Sequence, residues 1–197
     1  MARWEPDAYQ RLERAALALF MEHGFEATTA DQIAKFAGLT KSTFFRHFAD
    51  KREVLFGGQD MLGNLLRDAI RATPHSATVT DCLAAALESI SVAFPPDRHE
   101  LAARRLAIMA ANIQLREREL LKEARLASAV ADALRERGVD DTTARLAAQI
   151  CLLALSTAYA NWAASDNRRP FSEIALMALR DLQASATTLG ISTGVVG

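Results

Sequence analysis

Hydrogen-bond donors and cations are concentrated between residues 28 and 51, and their types suit contact with nucleic acid. The candidate contacts that bear hydroxyl, imidazole, ammonium or guanidinium groups are Thr28, Thr29, Thr40, Lys41, Ser42, Thr43, Arg46, His47 and Lys51. Lysine and arginine can donate to guanine O6 and N7 in the major groove, and hydroxyl or imidazole groups can donate to phosphate oxygens. An aromatic ring such as Phe45 can meet a thymine methyl group or a sugar edge. This stretch therefore predicts contact with double-stranded DNA.

The charge of the whole chain hides the charge of this stretch. With 23 lysines and arginines against 24 aspartates and glutamates, the formal net charge of the 197 residues is −1. Between Lys35 and Arg52, however, five cations stand against the single acid Asp50, which gives a local charge of +4. Such a cluster is the electrostatic footprint expected of a DNA-binding surface. Chance clustering of charges on a solvated surface is the alternative interpretation.

Two helices are expected to precede the richest part of the stretch. The first carries an apolar stripe at helical spacing and ends at Gly24, which can take a positive φ. The stripe consists of Leu12, Ala15, Ala16, Leu19 and Phe20. Thr29 and Gln32 form a capping box that predicts a second helix to about Phe36, closed by Gly38.

A third short helix is expected to carry the DNA-contacting side chains. Thr40 caps it, and it runs to about Phe48. Phe44 and Phe48 lie four residues apart and share a face, which we expect to pack against Ile33, Phe36 and Leu39. The opposite face then presents Lys41, Ser42, Phe45 and Arg46. Three short helices joined by glycine turns are typical of a helix-turn-helix domain.

The remainder of the chain also shows helical spacing, so the fold class is all-α. Asp50 with Glu53 starts a predicted helix that runs to about Arg71, and Asp97 with Glu100 starts one that runs to about Ala111. Further helices are predicted over about residues 80–94, 113–137, 141–164 and 172–188. The helix that runs to about Arg71 contains Gly57, Gly58 and Gly63, each of which weakens a helix by about 1 kcal/mol relative to alanine. The glycines can serve as a hinge that carries motion between domains, or they can permit close helix packing or simple fraying.

The N-terminal quarter of the chain contains a set of residue types at fixed spacings, namely Gly24-Phe25, Thr28-Thr29, Ile33-Ala34, Ala37-Gly38, the run Ser42-Thr43-Phe44-Phe45-Arg46-His47-Phe48, Lys51 and Leu55. The resemblance of this set is to the DNA-binding domain of tetracycline-repressor-like (TetR-family) regulators. It implies a helix-turn-helix domain over residues 1–50 and a larger effector-binding and dimerisation domain over 51–190. We expect residues 191–197 to form a flexible tail.

By position, the resemblance places Lys41, Ser42, Thr43, Phe45 and His47 at the family's DNA contacts and Lys51 at a phosphate contact. The family commonly has tyrosine where this chain has Phe45. Phenylalanine lacks the hydroxyl that would reach a phosphate, at a cost of about 0.5 to 1.5 kcal/mol per half-site. Phe45 is therefore assigned to van der Waals contact alone.

A homodimer on an inverted-repeat operator is expected, because one recognition helix reads too few base pairs to find a single site in a genome. The last two helices are apolar over more than one face, so one face can pack inside the subunit and another against a second copy. The apolar residues are Leu152, Leu153, Leu155, Tyr159, Trp162, Phe171, Ile174, Leu176, Met177 and Leu179. A single large core without an interface is the alternative.

The resemblance implies a small-molecule effector that releases the DNA, and the sequence offers only weak candidates for its site. Apolar residues that can line a cavity are Met61, Leu65, Leu87, Phe94, Met109, Tyr159 and Trp162. Residues at such helical spacing also occur as plain core. Of the adjacent Arg104 and Arg105, one can face inward toward an anionic ligand, with Arg105 the candidate, whereas a solvated face explains the pair equally simply.

Other function classes find little support in the sequence. Catalytic, nucleotide-binding and di-iron motifs are lacking, so we expect no enzyme, no cofactor and no metal. Cys82 and Cys151 are far apart, as in a reduced cytoplasmic protein, and the apolar stretch 150–164 is too short and too interrupted for a membrane span. The sequence therefore predicts a cytoplasmic, ligand-responsive regulator, most simply a repressor. A helix-turn-helix dimer controlled by a protein partner, without a small-molecule effector, is the alternative.

Overall fold

The computed structural model describes residues 7–57, 59–164 and 169–188, and the regular structure in these ranges is entirely helical. The predicted all-α fold is confirmed. The α-helices are α1 (Ala8–His23), α2 (Ala30–Phe36), α3 (Lys41–His47), α4 (Glu53–Phe56), α5 (Gln59–Ala72), α6 (Val79–Ser89), α7 (His99–Ala110), α8 (Ile113–Glu136), α9 (Asp141–Ala164) and α10 (Phe171–Thr188). Gly58 and the expected tail, 191–197, lie outside the described residues.

The chain divides into two compact units. Unit 1 comprises the described part of Met1–Gly58 together with Glu100–Leu120, and unit 2 comprises the described parts of Gln59–His99 and Leu121–Gly197. Most of α7 and the beginning of α8 therefore group with the N-terminal helices. No local motif in the sequence indicates this long-range grouping.

The core of unit 1 contains the apolar stripe predicted on α1. Leu12 and Phe20 are buried, and Phe25, which follows the Gly24 turn (φ 84°), packs on Phe20 with ring centroids 5.0 Å apart. α7 contributes Met109 to the same core. The predicted end of α1 is confirmed. Gly24 takes a positive φ, which ends the helix and allows the chain to turn so that Phe25 packs back onto α1.

Phe36 does not join this core, contrary to the prediction. Its side chain is 62% exposed, whereas Ile33 and Ala34 are fully buried. The inward face of α2 consists of these two residues with Ala30 and Ala37, which pack against the core. At about 100° per residue, Phe36 points roughly 110° away from the centre of that face. The sequence-based assignment of Phe36 to the core is therefore wrong, whereas that of Ile33 is confirmed.

The prediction of a single helix from the Asp50 cap to about Arg71 is wrong, because the structure divides this stretch into α4 and α5. Gly57 follows α4 with φ −57° and ψ 152°, an extended conformation in which the helix cannot continue. A Cβ atom at Gly57 would lie 2.9 Å from the backbone oxygen of Glu53 and 3.1 Å from the Tyr9 hydroxyl. Glycine is thus required at this break for space.

In unit 2, α9 packs against α10 and α6, and an aromatic cluster closes one part of the core. Phe94 stacks on Phe171 at 4.2 Å between ring centroids, and Trp162 packs edge-on against both rings. Among the described helices, α9 alone passes a length and composition test for a membrane span. Half of its most apolar window is buried inside the protein, as is typical of a core helix.

Candidate nucleic-acid interface

The capping box predicted for α2 is present and fixes the start of that helix. The Thr29 hydroxyl accepts from the Gln32 backbone N–H at 3.3 Å, and Gln32 Oε1 accepts from the Thr29 backbone N–H at 2.8 Å. Such reciprocal bonds satisfy two N–H groups that the first turn of a helix leaves without partners. Thr29 is exposed, so its capping role and a neighbouring anion are compatible.

The turn between α2 and α3 is held by a long-range contact that sequence analysis missed. Gly38 has φ +67°, where glycine is favoured, and an Arg11 guanidinium N–H donates to the backbone oxygen of Ala37 at 2.5 Å. Arg11 lies on α1, 26 residues from Ala37. Its spacing relative to the turn carries no motif, so no signal in the sequence could have identified it.

α3 begins at the predicted cap. The Thr40 hydroxyl accepts from the Thr43 backbone N–H at 3.1 Å, and the two threonine hydroxyls are 3.0 Å apart. An Arg46 N–H points to the Thr43 hydroxyl at 3.4 Å, which orients the guanidinium along the exposed side of the helix.

One face of α3 is anchored in unit 1. Phe44 is fully buried and Phe48 nearly so, with ring centroids 5.5 Å apart. Tyr9 on α1 packs against Phe48 at 4.8 Å and lies edge-on to the His47 ring at 6.3 Å. The short helix therefore has a fixed rotation about its axis, because two large aromatic side chains occupy the core.

The other side of α3 faces solvent with the predicted donors and an aromatic ring. The exposed residues are Lys41, Ser42, Phe45, Arg46 and His47. Phe45 is 49% exposed, and Lys41 Nζ lies 6.0 Å from its ring centroid. The ring of buried Phe44 also contacts the Phe45 ring edge-on, with centroids 5.4 Å apart, so a core residue restricts the orientation of the exposed ring. Sequence spacing and structure thus agree on which residues of α3 are accessible.

Two of the five cations counted in the sequence do not contribute charge to this surface. Lys35 forms an ion pair with Asp31 at 2.8 Å, one helical turn away, and the hydrogen bond and charge of that carboxylate raise the pKa of Lys35. Asp31 lies just outside the window that was counted, so the sum of +4 overstates the surface charge. The exposed cations of the window that remain are Lys41, Arg46 and Arg52.

Lys51 is the second cation that adds no charge to this surface, and the structure contradicts its predicted phosphate contact. Its Nζ atom donates to the backbone oxygens of Phe25 at 2.7 Å, Glu26 at 3.1 Å and Thr28 at 3.1 Å, and it lies 4.4 Å from the Phe25 ring centroid. An ammonium group has three N–H donors. All three are directed at carbonyl groups of the α1–α2 loop, so Lys51 holds this loop to the segment before α4.

Thr28 is likewise a structural residue and not an available phosphate donor. It is 1% exposed, and its hydroxyl lies 2.8 Å from the Gly24 backbone oxygen and 3.3 Å from that of Leu19. A buried hydroxyl needs such a partner, since an unpaired polar group is costly in the interior. Thr28 therefore leaves the set of candidate DNA contacts.

Buried charge fixes α7 within unit 1. Glu13 on α1 is 1% exposed, and its carboxylate accepts from Arg105 at 2.9 Å. The same guanidinium donates to the backbone oxygen of Val54 at 3.1 Å. Arg105 thus faces inward, as one of the two interpretations of the arginine pair predicts. Its partner is the Glu13 carboxylate of the protein itself, so the structure contradicts its predicted role as a ligand contact.

The other candidate effector residues are dispersed. Met109 belongs to the core of unit 1, and Met61 is 52% exposed. The remaining candidates lie in unit 2, where Leu87 is fully buried, Leu65 is half-buried, and the aromatic cluster contains Phe94, Tyr159 and Trp162. The predicted set is therefore divided between the two units. Within the ranges described, no group of His, Cys, Asp and Glu side chains could hold a metal ion.

A capped helix that is anchored on one side and presents cations, a hydroxyl and a ring on the other defines a helix-turn-helix protein. Residues 13–56 match the family described as bacterial regulatory proteins, tetR family. The N-terminal helix-turn-helix domain of this chain is therefore of the tetR-family type.

A curated relative agrees with this assignment over the same part of the chain. The HTH-type transcriptional regulator TcmR of Streptomyces glaucescens is 32% identical over 80 residues, which cover 41% of this chain. The matched stretch spans about a third of the relative's length, 35%.

Solved structures extend the fold similarity to most of the chain. FadR of Thermus thermophilus, a TetR-family transcriptional repressor solved with lauroyl-CoA, is 25% identical with a TM-score of 0.53, covering 89% of this chain and 93% of that one. FadR of Bacillus subtilis, solved with stearoyl-CoA, is 21% identical with a TM-score of 0.51, covering 88% of this chain and 97% of that one. The N-terminal helix-turn-helix domain and the larger helical domain of the TetR-like fold are therefore shared with these regulators.

Proposed function

We propose that this protein is a cytoplasmic repressor that binds inverted-repeat DNA as a homodimer and is released by a small-molecule effector. The observation that carries the proposal is the two-sided α3, with Phe44 and Phe48 buried and Lys41, Phe45 and Arg46 exposed. A rigid helix with cations at its beginning and along one side suits the major groove, where helix-turn-helix proteins read base edges.

The proposed DNA contacts divide into base contacts and phosphate contacts. Lys41, Ser42 and Arg46 are assigned to base edges, and Phe45 to van der Waals contact with a thymine methyl group or a sugar. The phosphate contacts are assigned to Thr29, Thr40, Thr43, His47 and Arg52. Arg52 is an addition to the residues predicted from sequence, and it replaces Lys51, whose donors are occupied. Phosphate contacts fix the register of the helix, and base contacts give sequence preference.

The proposed dimer face lies on α9 and α10. Leu146 and Leu153 are exposed on α9 and stand seven residues apart, with Gln149 and Ser156 on the same stripe. Met177 is exposed on α10. This spacing of three and four residues is that of a helix seam. The buried residues of α9 lie inside unit 2, where α9 packs against α10 and α6. The single-core alternative leaves these exposed leucines unexplained.

We assign effector binding to unit 2. Support comes from the two FadR structures, whose proteins bind acyl-CoA and share the fold of this chain. A conformational change driven by an effector requires that the effector bind one state more tightly than the other. DNA affinity measured with and without lauroyl-CoA separates this proposal from control by a protein partner alone.

The test of the proposed function is selection from random duplexes with the purified full chain, followed by sedimentation of the complex. We expect enrichment of an inverted repeat, two protomers per duplex, and a lower affinity in the presence of an effector. Leu153→Glu should abolish the dimer and weaken binding to the repeat, and Arg116→Glu, on the exposed side of α8, should do neither. Enrichment of no repeat, or a monomer at micromolar concentration, contradicts the proposal.

A further inference from the structure

A cleft of about 270 Å³ lies between α5 and α8 within unit 2, and its polar side chains are mostly cationic. The polar residues lining it are Asp60, Asn64, Arg67, Lys122 and Arg125. Its volume is slightly below the roughly 300 to 1,000 Å³ of typical ligand sites. The cleft contains none of the effector residues predicted from the sequence.

Three cations against one acid give the lining of this cleft a net charge of +2. Glu136 on α8 is close enough to Arg67 to interact with its charge, but its carboxylate accepts two bonds from Arg71, at 2.7 and 2.8 Å. Those bonds, with the charge of Arg71 and Arg67, lower the pKa of Glu136. Because Arg71 satisfies this acid, Arg67 keeps donors for a further partner.

Arg67 is also oriented by the cleft itself. One guanidinium N–H donates to Asn64 Oδ1 at 2.8 Å, which leaves the two N–H donors of the Asn64 amide for another acceptor. Arg67 and Lys122 are half-buried and Arg125 is exposed, and all three line the same opening. Donors from two helices therefore converge, and an acceptor-rich ligand is the chemical complement.

The floor of the cleft is apolar and has room. Leu126 and Ala129 are buried, and Gly63 faces them from α5. A Cβ at Gly63 would lie 3.7 Å from a Leu126 methyl carbon and 4.0 Å from the Ala129 Cβ, which is ordinary contact. Glycine is thus not required there for packing, and any larger side chain at this position would occupy space at the floor of the cleft.

We propose that this cleft binds the anionic head group of a ligand, a diphosphate or a similarly multivalent phosphate, with the less polar part of the ligand on Leu126 and Ala129. Paired guanidinium groups match phosphate oxygens in geometry as well as charge. Calling the ligand an effector rests on the proposed function, but the binding itself is independent of DNA.

Calorimetric titration of the full chain with inorganic pyrophosphate, in the absence of DNA, tests the site. The double variant Arg67→Gln and Arg125→Gln should weaken binding at least tenfold. The matched double variant Arg104→Gln and Arg116→Gln, which removes one half-buried and one exposed cation from residues 100–120, should bind within twofold of the parent. Gly63→Leu, which keeps every charge and fills the floor, should also weaken binding.

A variant of the proposed DNA surface separates the two basic surfaces. Lys41→Gln with Arg46→Gln should leave pyrophosphate binding unchanged while reducing DNA binding. The site is refuted by the absence of pyrophosphate binding, by equal losses in the two arginine double variants, or by a loss confined to the Lys41 and Arg46 variant. Failure of the parent to bind any inverted repeat refutes the proposed function instead, whatever the calorimetry shows.

Discussion

Lys51 Nζ lies 2.7 Å from the backbone oxygen of Phe25, so a cation that the sequence assigns to DNA serves the interior of unit 1. The Lys51→Met variant keeps the aliphatic stem but removes the donors to three carbonyl groups. We expect a loss of about 1 to 3 kcal/mol in the free energy of unfolding, since hydrogen bonds from charged donors have this magnitude. Urea unfolding measures it, with Lys35→Met as the control, for which no measurable loss is expected. Equal losses in the two variants would contradict the structural role.

The same variant separates stability from DNA contact. A phosphate contact contributes about 0.9 to the slope of log affinity against log salt concentration. Because all donors of Lys51 are occupied, Lys51→Met should leave that slope unchanged at temperatures where the variant is folded. Arg52→Met should reduce the slope by about one contact per protomer. A reduced slope for Lys51→Met alone would restore the prediction made from sequence.

The ion pair of Arg105 with buried Glu13 is expected to dominate the attachment of α7 within unit 1. Arg105→Ala leaves a carboxylate that is 1% exposed without its cation, which should cost about 3 to 5 kcal/mol. The neighbouring Arg104 pairs with Glu100 at the surface, so Arg104→Ala should cost only about 0.5 kcal/mol. Urea unfolding of the two variants compares them, and losses of similar size would show that the buried pair is unimportant.

Burial of Cys151 predicts a specific loss of stability in alkali. Burial raises the pKa of this thiol from 9.0 to about 12, so the unfolded chain releases the proton first as pH rises. Between pH 9 and 12 the unfolded state binds fewer protons than the folded state, and stability falls by about 1.4 kcal/mol per pH unit. Between pH 8 and 10.5, Cys151→Ala should therefore lose about 2 kcal/mol less stability than the parent protein. Parallel pH profiles would contradict the prediction.

Two glycines that the sequence presents as equivalent should respond in opposite directions to alanine. At Gly57 a Cβ would lie 2.9 Å from a backbone oxygen, so Gly57→Ala should destabilise by about 1 to 3 kcal/mol. At Gly63 the added methyl makes ordinary contacts within α5, so alanine should stabilise by up to about 1 kcal/mol. Thermal unfolding of the two variants measures the difference, and equal changes in melting temperature would contradict the prediction. That these glycines act as a hinge between domains stays a prediction. Because the Gly57→Ala side chain would collide with the Glu53 backbone oxygen, Gly63→Ala is the cleaner variant for testing it.

Local relationships were predictable from sequence, and long-range ones were not. Thr29 with Gln32, and Thr40 before α3, are caps whose partners lie within three residues, so side-chain chemistry alone identifies them. The two faces of α3 follow from its spacing for the same reason. Lys51, in contrast, finds its acceptors 23 to 26 residues away.

The candidate effector residues were also not predictable, because their environment depends on long-range contacts. Arg105 reaches Glu13 across 92 residues, a pairing that no periodicity records. The apolar candidates were chosen by residue type, but type alone does not distinguish a cavity lining from a packed aromatic cluster. The charged cleft between α5 and α8 depends on which faces of two distant helices meet, and that becomes visible only in the fold.

The most direct measurement of the central claim is the affinity of the selected inverted repeat for three proteins by fluorescence anisotropy. Lys41→Ala should weaken binding more than tenfold and relax preference at one base position per half-site, since one base contact is worth about 1 to 3 kcal/mol. Lys35→Ala, which removes a nearby cation already paired with Asp31, should bind within twofold of the parent. Equal weakening by the two variants, or an affinity for the repeat no higher than for random duplex, would contradict recognition by α3.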